Sequence, residues 1–347
     1  MNNSFGIIGS GSWATALAKI LTDNKHTINW LVRSEAMVNH INQQKHNPKY
    51  LSSVLFDTSL LNLSTDVAKI VSASDIIIIG IPSAYILDTI QTLPKNAFEG
   101  KKIISAVKGI LPQENCLLND YLKKEFDVEL KNYFTVMGPC HAEEVATEKL
   151  SYLTISGSDE QQALLLSEHF TTPYINTVVN EDVYGVQFAA ILKNIYALGS
   201  GVAQGLQYGD NFSSVLIANC ADEMAGFLHK VGIHNMQVGL HDGEDPFTHK
   251  KKTNYAASVY LGDLLVTCYS LFSRNRTFGT LIGKGYSVKA AQLEMNMVAE
   301  GYNASKSIFT INQNIKAEMP IAETVYKILW ENLSPAEGFK QIEQVLI

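Results

Sequence analysis

Several features that define protein classes are scarce in this sequence. Its 347 residues carry 27 Lys and Arg against 34 Asp and Glu, a net charge of −7. With no basic excess, a nucleic-acid surface is not expected. No apolar run approaches the roughly 20 residues of a membrane span. The most apolar segment, DIIIIGIP, is only strand-sized, so membrane insertion is not expected either. The four cysteines, Cys116, Cys140, Cys220 and Cys268, are scattered without a C-x-x-C pair. That excludes a disulfide framework and the usual zinc signature, and it fits a reducing, cytoplasmic compartment. The opening MNNSFGIIGSG has neither a basic n-region nor a long apolar h-region, and it reads as the lead-in to a strand. His229, His234, His241 and His249 fall close together but lack the i, i+4 pairing of a helical zinc site. They are expected to be loop and surface residues, and no metal is expected.

What is present is an ordinary globular composition, 46% hydrophobic, in a chain long enough for two domains. The first half alternates. Strands are expected at FGIIG, TINWLV, DIIIIGI, KKIISAV, YFTVMG, SYLTISG and YINTVV. Helices are expected at SWATALAKILTDN, SEAMVNHINQQ, DVAKIVSAS, SAYILDTIQTL and QENCLLNDYLKKEF. KHNPKYLSSVLFDTSLLNLST reads as a long irregular link. Apolar strands without alternation mark a parallel sheet covered on both faces. Alternation with helices makes it a doubly wound, Rossmann-type α/β domain. After Asn180 no convincing strand follows. Helical periodicity recurs over 182–204, 212–232, 254–272, 287–311 and 321–331, so an all-helical second domain is expected. The boundary is placed between 1–180 and 181–347. HDGEDPFTHKKKTN is polar and is expected to be an exposed loop.

Gly9, Gly11 and Ala14 form G-x-G-x-x-A between the first strand and the first helix, the context that this motif requires. Gly9 permits the tight turn, Gly11 lets the backbone approach a pyrophosphate, and Ala14 lets the helix pack on the strand. The helix N-terminus attracts the phosphate charge. Residues 1–180 are therefore expected to bind NAD(P). The ribose-binding acid expected at the end of the second strand is missing. Arg33 stands there, and an arginine can pair with a 2′-phosphate, which tilts the expectation to NADP over NAD. A solvated Arg33, with Glu35 serving NAD, stays open.

The segment VQFAAILKNIYALGSGVAQ raises a different question. At 100° per residue, Lys193 shares its side with Val186, Ala189, Ala190, Tyr196, Ala197, Ser200, Gly201 and Gln204. Phe188, Ile191, Ile195, Leu198 and Val202 lie opposite. No charged face exists for Lys193 to join, and a helix apolar all round is buried. The lysine either snorkels to water or serves a site, with small neighbours leaving room for a ligand.

The glycine loop, AVKG, MGPCHAEE, LKN, GDLLVTC and SRNR occur in that order. This series resembles bacterial NAD(P)-dependent glycerol-3-phosphate dehydrogenase over nearly the whole chain. The resemblance implies a Rossmann domain, a helical domain and likeness to homodimers. The implied reaction is reversible reduction of dihydroxyacetone phosphate to sn-glycerol 3-phosphate, supplying glycerophospholipid synthesis. It makes Lys193 the general acid and base. Substrate contacts are implied for Lys108, Gly138, Cys140, Lys193, Asn194, Asp263, Thr267, Ser273, Arg274 and Asn275. Cofactor contacts are implied for Gly9, Gly11, Ser12, Trp13, Arg33, Lys108, Ala142, Arg274 and Glu300. Cys140 departs from the family's usual threonine or serine, placing a thiol where the family has a hydroxyl donor.

The residue chemistry fits these roles. Proton transfer to a ketone oxygen needs a lysine that titrates near neutrality, which burial and a second cation such as Lys108 would provide. Lys108 follows a strand, at the sheet edge where ligands bind, although an exposed strand-end lysine looks the same. Asp263 and Thr267 are four apart on one helix face, and an aspartate among Tyr260, Leu261, Leu264 and Leu265 should have a cation partner, with Lys193 the candidate. A purely structural ion pair stays open. Arg274 and Asn275 could fork a phosphate, or Arg274 and Arg276 could cap a helix end after Phe272. GPCHAEE reads as a helix entry with Pro139 early in the helix; Cys140 and His141 diverge there by about 100° and make no catalytic pair. A related hydroxy-acid reductase, or a non-catalytic redox sensor, are the competing readings.

Overall fold

The computed structural model describes residues 3–234, 256–295 and 299–346. The loop expected at HDGEDPFTHKKKTN, with His241 and His249, lies outside the described residues. The chain forms two compact units, Met1–Val107 with Gln113–Val183, and Lys108–Pro112 with Tyr184–Ile347.

The first unit is a sheet with helices. In chain order it contains β1 (Phe5–Ile8), α1 (Ser12–Asp23), β2 (Ile28–Leu31), α2 (Glu35–Gln44), β3 (Leu61–Ser64), α3 (Val67–Ser72) and β4 (Ile76–Ile79). It continues with α4 (Ile86–Ile90), β5 (Lys102–Ser105), α5 (Leu118–Phe126), β6 (Tyr133–Met137), α6 (Ala142–Ala146), β7 (Ser151–Gly157), α7 (Glu160–Glu168) and β8 (Ile175–Asn180). The strand order is β3-β2-β1-β4-β5-β6-β7-β8. The chain changes direction of winding between β1 and β4, the switch point at which open α/β sheets bind ligands. Phe5 pairs with Ile76 and Ile8 with Ile79, and all eight residues of these two strands except Gly6 are apolar, so the sheet centre is dry on both faces. Side-chain oxygens of Ser34, Asp66 and Asp159 cap α2, α3 and α7, the local signal expected at helix starts.

Three expectations for this unit are corrected. β3 lies inside the segment read as an irregular link; its alternation Leu61-Asn62-Leu63-Ser64 is the signal, obscured by the polar residues on either side. β7 runs antiparallel to β6, so the sheet is not wholly parallel. The connection between them, 138–150, is only 13 residues against 22 (80–101) between the parallel neighbours β4 and β5, close to the dozen or so that a parallel crossover needs at minimum. α6 also starts at Ala142, so Pro139 precedes the helix instead of opening it.

The second unit is helical, with no strand among its described residues. Its elements are α8 (Val183–Gly205), α9 (Asp210–Lys230), a π-helical turn (Ala256–Gly262), α10 (Asp263–Tyr269), α11 (Arg274–Gly283), α12 (Val288–Glu294), α13 (Glu300–Ile315), α14 (Pro320–Trp330) and α15 (Pro335–Glu343). The helix expected over 254–272 thus contains a π turn and stops at Tyr269, and the one expected over 287–311 is two helices. α11 and α15 were not expected. Gly279 and Gly283 hide α11, because glycine disfavours a helix interior. They are there for packing. A Cβ on Gly279 would stand 2.0 Å from the Leu198 carbonyl oxygen, and one on Gly201 the same distance from that of Arg276. Gly205 and Gly283 are also pressed, with a Cβ 2.5 Å from the Thr280 and 2.4 Å from the Val202 carbonyl oxygen, respectively. α8 and α11 therefore touch backbone to backbone, which only glycine allows.

Candidate active site

The glycine loop of the first unit has the strain and the space that its motif calls for. Gly9 has φ +130°, and a Cβ there would sit 2.6 Å from the Gly80 carbonyl oxygen at the end of β4. At Gly11 a Cβ would meet no described atom within 4 Å. The first glycine is thus required by the fold, whereas the second leaves open room above a helix N-terminus. A dinucleotide pyrophosphate fits such a cradle, which offers N–H donors and the positive end of the α1 dipole. Ser12 is buried and Trp13 half-buried at the start of α1; Ala142 is buried at the start of α6.

Two residues that sequence reasoning missed hold this loop. Trp30 Nε1 donates to the Gly9 carbonyl at 2.7 Å. Asn47 Nδ2 donates to the Ser10 carbonyl at 3.1 Å and to Thr15 Oγ1 at 2.8 Å. Asn47 lies far along the chain, so no local pattern announces it. Arg33 is exposed at the end of β2, and Glu35 accepts from the Thr65 hydroxyl at 2.7 Å. Gly138, at the end of β6, has φ +125°, and a Cβ would meet the Tyr152 carbonyl oxygen at 2.7 Å. The neighbouring Cys140 thiol is buried.

The second unit gathers Lys108, Lys193, Asn194, Asp263, Thr267, Ser273, Arg274, Asn275 and Glu300. In α8 every residue from 189 to 203 is buried, and the Lys193 side chain is 4% exposed. It does not snorkel. Its ammonium pairs instead with Asp263 Oδ2, 70 positions further along the chain. Burial pulls the Lys193 ammonium down to about 8, against the attraction of Asp263 and with help from the like charge of Lys108. The Cys268 thiol nearby is pushed up to about 12, chiefly by burial, and stays neutral. A lysine that is charged near neutrality yet ready to lose its proton suits general acid and base work.

Around this pair the helices are cross-linked. Asn275 Nδ2 donates to Asn194 Oδ1 at 2.8 Å, and Asn275 Oδ1 accepts from the Gly301 N–H at 2.9 Å. Asn194 Nδ2 donates to the Lys108 carbonyl at 3.4 Å. The Thr267 hydroxyl donates to the Asp263 carbonyl one turn back at 2.6 Å. Ser273 is the N-cap of α11, with Oγ accepting from the Arg276 N–H at 3.3 Å. Arg274, half-buried, is therefore the first residue of α11. This overturns the helix-end alternative: an arginine at a helix N-terminus opposes the dipole and cannot be a C-terminal cap.

Among the described residues no group of three or more His, Cys, Asp or Glu side chains is arranged to hold a metal. His229, in the last turn of α9, and His234 are exposed, with Nδ1 atoms 2.9 Å apart. No helix of the described residues is long and apolar enough to cross a membrane.

The comparisons agree across both units. A family model described as the N-terminus of NAD-dependent glycerol-3-phosphate dehydrogenase matches residues 4–163, and one for its C-terminus matches 182–340. The glycerol-3-phosphate dehydrogenase (NAD(P)+) of Macrococcus caseolyticus is 33% identical over 340 residues, covering 97% of this chain and 96% of that protein. The Enterococcus faecalis protein of the same name is 30% identical over 343 residues, covering 99% and 96%. The crystal structure of glycerol-3-phosphate dehydrogenase from Coxiella burnetii superposes with a TM-score of 0.86 at 25% identity, covering 99% of each chain. With both halves of the chain matched to the same enzyme, this protein belongs to the NAD-dependent glycerol-3-phosphate dehydrogenase family.

Proposed function

We propose that Lys193 carries the proton in this chain's reaction, the reversible reduction of dihydroxyacetone phosphate to sn-glycerol 3-phosphate with NAD(P)H. The observation that supports it most is the buried Lys193–Asp263 pair, with the ammonium held at about 8. A bound reduced nicotinamide would supply the hydride to the carbonyl carbon. Lys193 delivers a proton to the carbonyl oxygen as charge develops there, and in the reverse direction its neutral amine removes one. Asp263 orients the ammonium, and Lys108 keeps it acidic enough to give up the proton. Arg274 at the first turn of α11 takes the phosphate with a bidentate fork, and Thr267, Ser273, Gly138 and Cys140 complete the substrate contacts.

The dinucleotide-binding unit is 1–180 and the helical unit 181–347, and the cofactor contacts are Gly9, Gly11, Ser12, Trp13, Arg33, Lys108, Ala142, Arg274 and Glu300. The enzyme works as a cytoplasmic homodimer that feeds glycerophospholipid synthesis and binds no nucleic acid. Arg33, exposed where a ribose-binding acid would stand, favours NADPH.

Oxidation of NADPH and of NADH with dihydroxyacetone phosphate is the test. NADPH should give the higher kcat/KM, and Arg33→Asp should move the preference to NADH. Equal use of both coenzymes, unchanged by the substitution, would remove the role given to Arg33; no oxidation with either would remove the activity.

A further inference from the structure

We infer that Gly301 is a positioning residue for this reaction, holding the Lys108 segment against the helix that carries Lys193 through an amide relay of Asn275 and Asn194. The inference rests on the function proposed above.

The relay begins at a helix end. α13 starts at Glu300, and its N-cap residue is Ala299, whose side chain has no acceptor. The first N–H groups of a helix need partners from elsewhere. The Gly301 N–H finds one on another helix, in Asn275 Oδ1 of α11. From there Asn275 Nδ2 donates to Asn194 Oδ1, and Asn194 Nδ2 donates to the Lys108 carbonyl oxygen.

The two ends fix the direction. A backbone N–H only donates and a backbone carbonyl only accepts. With Gly301 N–H at one end and Lys108 C=O at the other, both amides have one orientation in which every bond is made. Turning either amide sets oxygen against oxygen or N–H against N–H. Asn275 and Asn194 are buried, so an unmatched group would go uncompensated. The relay thereby ties α13, α11 and α8 to the short segment Lys108–Pro112, which packs with this unit although it follows β5 in sequence.

Position 301 must be glycine for this to form. A Cβ there would stand 2.5 Å from the Asn194 carbonyl oxygen and 3.1 Å from Asn275 Oδ1. Alanine must push α13 away from α8 and pull its N–H off Asn275. The groups facing Lys193 are Asp263 and Cys268 of α10 and Lys108 of the segment. Of these, Lys108 is the one whose backbone the relay holds.

The test is a double-mutant cycle of Gly301→Ala and Asn275→Ala, read as kcat/KM for dihydroxyacetone phosphate and as thermal midpoint. Gly199→Ala serves as a packing control on α8, since its Cβ would meet only a Val325 side-chain methyl, at 3.1 Å. Gly301→Ala should lower kcat/KM at least tenfold in the wild type and less than threefold in Asn275→Ala. Equal factors in both backgrounds would reduce Gly301 to packing and overturn the inference, as would near-normal kcat/KM in a folded Gly301→Ala protein. If Gly301→Ala does not fold, Asn275→Asp decides. It keeps the acceptor for Gly301 but turns an acceptor on Asn194. A loss of tenfold or more should appear with both dihydroxyacetone phosphate and phosphate-free dihydroxyacetone. A loss confined to the phosphorylated ketone would mark Asn275 as a phosphate contact and overturn the relay. Wild-type protein that leaves dihydroxyacetone phosphate unreduced would refute the enzymatic reading and the positioning role together. Non-additive midpoints would in that case still establish the relay as a structural tie.

Discussion

The glycine loop of the first unit and the Lys193 cluster of the second solve opposite problems. The loop presents backbone and leaves space: a Cβ at Gly11 would meet no described atom within 4 Å. The cluster fills its space with side chains whose charges and amides are matched across helices. Removing contacts from the loop should cost ligand affinity and spare the fold. Removing one member of the cluster should cost both, unless its partner is changed as well.

The largest effect should come from Lys193→Met. A lost general acid lowers kcat about 10²–10⁴-fold. The same change strands the Asp263 carboxylate in the interior, at a cost on the order of 3–5 kcal/mol. Adding Asp263→Asn should restore the thermal midpoint and leave turnover low. Near-normal turnover in folded Lys193→Met would end the catalytic role. Recovery of turnover in the double variant would do the same.

Next in size is Arg274→Ala. Losing a charged partner of the phosphate costs roughly 2–5 kcal/mol where the pair is desolvated, read as a raised KM for dihydroxyacetone phosphate. Arg274→Lys should fall between, because a point charge cannot reproduce the fork. Unchanged KM in both variants would leave Arg274 without a ligand role.

Glu223 sharpens the comparison by showing what burial does without catalysis. Its carboxylate, on α9, accepts from the N–H groups of Ile321 and Ala322 at 2.7 and 2.9 Å, in the first turn of α14. Burial raises it from 4.5 to about 7 in spite of those bonds. The stability it contributes is therefore complete below 4.5 and lost as pH rises through about 7. The span is worth about 3 kcal/mol as an order of magnitude. Between pH 5 and 8 the wild-type midpoint should fall relative to that of Glu223→Gln. Parallel midpoints over that range would show that Glu223 does not titrate there.

The smallest effect on the fold should come from Gly11→Ala. It should leave the midpoint of the free protein unchanged and weaken NADPH binding about tenfold, about 1.4 kcal/mol. Gly9→Ala should unfold the loop as well, because φ +130° is strained for alanine. Equal loss of stability in the two variants would erase the distinction between the two glycines.

Much of the first unit was legible because its signals are local. The period of the apolar residues and G-x-G-x-x-A each depend on residues within a few positions of one another. The misread segments there, β3 and the reversed β7, depend on which strand lies beside them. In the second unit, composition alone marked α8 as buried and Lys193 as anomalous. It could not show α11, since two glycines argue against a helix until Leu198 and Val202 of α8 press against them. Nor could it show that Asn275 and Glu223 supply helix caps missing at Ala299 and Met319. Sequence determined most of the elements and the residue types available for chemistry, because propensity, periodicity and turn geometry act over a few residues. Tertiary structure decided that Lys193 meets Asp263 and that burial, opposed by that carboxylate, leaves the ammonium at about 8. Desolvation and Coulomb energy depend on the distances between groups in space, and these two residues are 70 positions apart along the chain.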